Sequence, residues 1–157
     1  MDDKVSDLLE IVRKEINLYR DLIEHVRRKT ALLVQGRVQE ILESNLVDET
    51  YNMRLRTLEG QMTRICHDLG QSFRIPREEV SLMRLADNLE QSLAQELRIQ
   101  ATLFRNIVKQ LKSVNQRNMR LVERSLHYSR GLLALVSRQP RWLKPIPHIP
   151  QTFSPRI

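Results

Sequence analysis

The chain has 157 residues and a net charge of +7; it is 41% apolar, 29% charged and 4% aromatic, with only four glycines. So little glycine and aromatic content excludes glycine-rich phosphate loops, propellers and sandwiches, and the dominance of Leu, Arg, Glu and Gln predicts an all-α protein. The charge is unevenly placed, because residues 97–157 carry 12 Lys and Arg against one acid, Glu123, on a mildly acidic body.

In chain order, the first predicted helix covers about residues 3–35. Steps of four and three from Val5 pass through Leu9, Val12, Ile16, Tyr19, Ile23, Val26, Thr30 and Leu33, a seam that is apolar or aromatic at all positions but Thr30. Acids early and bases late suit the helix dipole, and Gly36 is placed to end the helix in a left-handed cap. A turn this short makes the next helix an antiparallel neighbour. That second helix, about 37–70, begins weakly at Ile41, Leu42, Leu46 and Val47. It then settles into Tyr51, Leu55, Leu58, Met62, Ile65 and Leu69, with Gly70 as its predicted end.

Residues 71–76 read as a loop, with Pro76 suited to a first helical turn. No proline follows until Pro140, so a third helical region is predicted over about 77–138. Two versions stay open: one continuous helix, or a break near 113–118, where Ser113, Asn115 and Asn118 compete for backbone hydrogen bonds. The expected fold is an antiparallel bundle of three or four long, coiled-coil-like helices in one domain, residues 1–138, followed by an extended tail. That tail, 139–157, holds five of the six prolines, is basic and is compatible with polyproline II. Its Trp142, the only tryptophan, is either an anchor for a partner or a cover for an apolar patch of the chain's own bundle.

Catalytic or metal chemistry needs convergent groups, and His25, His67, His127 and His148 show no metal-pair spacing. Glu123 and His127 would touch as an ordinary surface pair, and Cys66 and His67 point away from each other. No enzyme activity and no cofactor are expected. A single cysteine allows no intrachain disulfide and predicts a half-buried thiol in a reducing compartment. No run approaches the ~18 apolar residues of a membrane span, and the acidic start lacks the apolar core of a secretion signal.

Arg98, Arg105, Lys109, Lys112, Arg117, Arg120 and Arg124 form a basic stripe, but only Phe104 and Tyr128 accompany it, both at seam positions. That argues against nucleic acid as the partner. More informative is surplus apolar surface. One stripe of the last helix runs through Phe104, Ile107, Leu111, Val114, Asn118, Leu121, Ser125 and Tyr128. A second, one residue later, runs through Met119, Val122, Leu126, Ser129, Leu133 and Val136. The second stripe either completes a four-helix core or stays open for a partner helix.

Several residues then carry a resemblance: Glu15 and Tyr19 in the heptad-rich first helix, the turn at Gly36, Leu58-Glu59 and Arg64, Leu69-Gly70, Asn115-Gln116-Arg117-Asn118, Leu121-Val122, and Leu126-His127-Tyr128-Ser129. Over about residues 5–136 the chain resembles the FlgN family of flagellar export chaperones. The resemblance implies a cytoplasmic chaperone that binds hook-filament junction proteins and delivers them to the flagellar type III secretion gate. Client binding would fall on the last helix, on Asn118, Leu121, Val122 and Ser125, together with Leu126 and Leu133 of the open stripe, and Tyr128 would dock at the export gate. The competing reading is a scaffold or signalling adaptor that forms a coiled-coil homodimer through the same helix.

Overall fold

The structure is a computed structural model. It describes the backbone of residues 2–136, with side chains to Arg130 except those of Asp2 and Tyr128; the expected tail lies outside the described residues. Four α-helices and one 3-10 turn (Arg77–Glu79) make up the described chain: α1 Asp2–Gln35, α2 Val38–Ser72, α3 Leu82–Ala86 and α4 Gln91–Val136. This is the all-α bundle that the periodicity predicts.

Helix α1 is the centre of the bundle. It packs along both α2 and α4, which scarcely approach each other. Every apolar or aromatic seam position from Val5 to Val26 is buried, and Leu8, Ile11 and Leu22 beside that seam widen the buried face enough to serve two neighbours. Lys4 bonds Asp68 and Lys29 bonds Asn45, so α2 runs antiparallel to α1. Arg13 pairs with Glu96, Tyr19 meets Phe104 edge-on at 5.6 Å, and Thr30 bonds Asn118, so α4 runs parallel to α1. The path is up, down and up again.

The two predicted glycine ends behave differently. Gly36 adopts φ 67°, and the Arg37 and Gly36 amides donate to the Leu32 and Leu33 carbonyls, the paired bonds of a Schellman cap. At the other turn α2 continues two residues past Gly70, to Ser72. The left-handed residue there is Arg74, with φ 57°, while Ile75 and Arg74 donate to the Gly70 and Gln71 carbonyls in the same motif. Gly70 instead makes room: a Cβ at that position would stand 2.6 Å from Val80 Cγ2.

The helical region expected over 77–138 is corrected at its start, and of the two versions left open the one without a break near 113–118 matches. The chain is interrupted after Ala86 and resumes at Gln91, and α4 is unbroken through 113–118. Ser81 caps α3 by accepting the Arg84 amide at 3.2 Å. Asp87 and Asn88 end it: the Asn88 side chain bonds the Arg84 carbonyl, and Asp87 is tied to Arg98 of α4. Residues 113–118 stay helical because Asn118 spends its polar side chain on α1 rather than on its own backbone.

Segment 73–90 closes one end of the bundle, where Leu85, Ala86, Leu69 and Leu97 are buried beside Val5 and Leu8. At the opposite end, among residues 31–43 and 119–127, no described side chain is fully buried. The bundle thus has a sealed base and an open tip.

Two alanine substitutions on α2 should move stability in opposite directions. Gly70→Ala meets Val80 and should cost about 1 kcal/mol net of its gain in helix propensity, whereas Gly60→Ala, with open space around its Cβ, should stabilise by about 0.5–1 kcal/mol. Thermal unfolding of both proteins checks this.

Candidate functional site

Thr30 Oγ1 donates to Asn118 Oδ1 at 2.6 Å, and Asn118 Nδ2 donates to the Val26 carbonyl at 3.1 Å, which fixes the level at which α4 stands against α1. From that level Gln35 lies about five to nine residues further along α1. The last roughly eleven residues of α4 therefore extend past the end of α1, by about 16 Å at ~1.5 Å per residue.

The residues expected to bind a partner separate along this axis. Asn118, expected among the contact residues, is 8% exposed and spends its side chain on two bonds to α1 that set the register of the helices. Leu121 and Val122 are half-buried at the rim of the tip, and Ser125 is exposed. Leu126 and Met119 are exposed apolar residues of the second stripe. The side chains of Tyr128 and Leu133 lie outside the described residues; their backbone belongs to the overhanging helix. The basic stripe from Arg98 to Arg124 is exposed throughout, with Arg98 held by Asp87.

Polar groups inside the bundle add two features, a cluster around Asp48 that sequence reasoning missed and a buried carboxyl at Glu15. His25 Nε2 donates to Asp48 Oδ1 at 2.8 Å and lies 3.2 Å from the Ser44 carbonyl, while Lys29 bonds the other Asp48 oxygen. The Tyr51 ring lies beside the imidazole at 5.5 Å. This cluster ties α1 to α2 just below the tip. Deeper in, Glu15 is 1% exposed and its Oε2 has no hydrogen-bond partner. Burial first, and then the charge of Glu59, pushes its carboxyl up to about 7. Burial also holds the Tyr19 hydroxyl well above its ordinary range and pushes the half-buried Cys66 thiol up to about 12, which leaves that thiol protonated and unreactive at neutral pH. A heptad count scores Glu15 as a polar position beside the seam, and only the resemblance singled it out.

Among the described residues no group of three or more His, Cys, Asp or Glu could hold a metal ion. An open depression along α4, lined by Gln91, Gln95, Arg98, Ile99, Thr102 and Leu103, has no titratable cluster. No described helix is long and apolar enough to cross a membrane. What the molecule presents is helical surface, open at one end.

A protein-family model described as FlgN protein matches residues 1–141. The chain belongs to the FlgN family. No curated protein and no solved structure matches it. FlgN membership supports a general role as a flagellar export chaperone, a role that requires surface for holding another protein rather than a reaction centre.

The two buried polar groups lead to separate expectations. Asn118→Ala removes both bonds to α1 and leaves the Val26 carbonyl without that donor, which should cost about 1–3 kcal/mol in denaturant unfolding. For Glu15 the folded pKa lies above the ordinary 4.5, so the folded state holds the extra proton between about 4.5 and about 7. Its contribution to stability is present below that window and is lost as pH rises through it, at no more than ~1.4 kcal/mol per pH unit. Glu15→Gln should flatten this slope and raise the melting temperature at pH 8 more than at pH 5.

Proposed function

We propose that this FlgN protein captures hook-filament junction proteins on the overhanging part of α4 and delivers them to the flagellar export gate. The observation that carries the reading is the projection of α4 beyond the hairpin, with Leu126 exposed where the overhang begins and Met119 exposed on the same stripe just before it. A client's helical end laid against that stripe would bury apolar side chains, each contributing about 1.5–3 kcal/mol gross, against ordering costs of similar scale. Leu121, Val122 and Ser125 stand at the rim of this surface, and Leu133 extends the stripe towards the end of the helix. Tyr128 is the proposed contact for the gate. Capture needs no cofactor, metal or chemical step, and the place of action is the cytoplasm, before export.

The test is co-purification of junction proteins with the full chain and with a Met119→Asp, Leu126→Asp double variant. Both residues are exposed, so circular dichroism and melting should be unchanged while capture falls at least tenfold. Undiminished capture by the folded double variant would remove the client from this stripe. Capture by neither protein, combined with self-association that is insensitive to salt, would favour the coiled-coil homodimer.

A further inference from the structure

The first half of α2 carries apolar residues on the wrong side for the bundle. Val38, Leu42, Leu46 and Met53 are 67%, 54%, 66% and 70% exposed. At 100° per residue they fall within one sector of about 80°, roughly opposite the buried positions Ser44 and Leu55. None of these four residues belongs to the buried core or packs against it. The same stretch, residues 38–53, holds four acids and no Lys or Arg. Glu40 is paired with Arg37, and Asp48 with His25 and Lys29; Glu43 and Glu49 are exposed and have no ion pair among the described residues.

We infer that this outward stripe of α2 is the docking site of the chain's own C-terminal segment, residues 138–157. Three observations select that occupant. The first is charge: the segment carries Arg138, Arg141, Lys144 and Arg156 and no acid, the complement of residues 38–53. The second is spacing. Leu143, Ile146 and Ile149 recur every third residue among prolines, the spacing that a polyproline II segment would need to present them along one edge. The third is reach. From the end of α4 the segment must return about 16 Å to the tip and then follow about 22 Å of α2 from Val38 to Met53. At ~3.1 Å per residue, the chain beyond Val136 spans about 65 Å, enough for both. This inference does not rest on the client-binding reading, since stripe and segment belong to one molecule and the stripe lies on a different helix from the proposed capture surface.

Trp142 is a built-in reporter because the chain has no other tryptophan. Its emission and acrylamide quenching would be measured in the full chain and in a Leu42→Asp, Leu46→Asp variant, with circular dichroism to confirm equal helicity; both leucines are exposed, so the fold should not change. The expected result is blue-shifted, protected emission in the full chain. It should shift to longer wavelength with increased quenching in the variant and in high salt, and should not change on dilution of the unaltered protein. Water-like emission in the full chain, or protected emission that the double substitution leaves unmoved, would overturn the proposal. Protection lost on dilution would overturn it as well, since the segment would then sit on a second copy.

Discussion

The register of α4 against α1 is the constraint on which the remainder of the molecule depends. Tyr19 against Phe104, the Arg13–Glu96 pair and the Asn118 bonds to Thr30 and Val26 align the two helices in parallel over most of the length of α1. Once this alignment is set, the difference in length has only one place to go. α1 has 34 residues and α4 has 46, and α4 begins beside the first turns of α1, so its surplus emerges at the tip. A slip of one helical turn would carry Asn118 off the Val26 carbonyl and place a polar side chain against apolar neighbours, which makes a buried asparagine an effective register pin.

The base performs the complementary task. Gly70 allows Val80 to approach the end of α2, Ser81 starts α3, and Asp87 with Asn88 turns the chain into α4. These few residues reverse the chain direction and cover the apolar ends of all three long helices. The tip has no such cover. The polar cluster of His25, Asp48 and Lys29 holds the hairpin together below it, so apolar residues above are exposed without the helices coming apart.

Much of this was legible in the sequence, for physical reasons that differ by element. The seam of α1 is buried on a strict spacing and could be read directly from Val5 to Val26. The cap at Gly36 was readable because only a left-handed residue closes that motif cheaply. Continuity through 113–118 stayed open in the sequence because Ser and Asn there look like competitors for the backbone, and periodicity does not reveal that Asn118 has a partner 92 residues earlier; the interruption at 87–90 has no proline or glycine to mark it. Arg74 in a left-handed conformation is invisible to composition for a similar reason: tertiary closure of the base decides it, against local preference. The candidate surface was found as a surplus stripe on the last helix. Which of its residues are open depends on where α1 stops, and the sequence does not state that. Glu15, His25 and the outward leucines of α2 are likewise defined by what faces them.

The parallel pairing of α1 with α4 also orders the assembly of the chain. Contacts within the α1–α2 hairpin join residues 16 to 64 apart, whereas those between α1 and α4 join residues 83 to 92 apart. Closing the longer loops costs more chain entropy before any contact offsets it, which favours the hairpin over the docking of α4 as the earlier contact. Until α4 docks, the Tyr19 side of α1 is a bare apolar helix face displayed by a hairpin. A hairpin formed ahead of α4 would present an apolar face whose cover is the chain's own last helix.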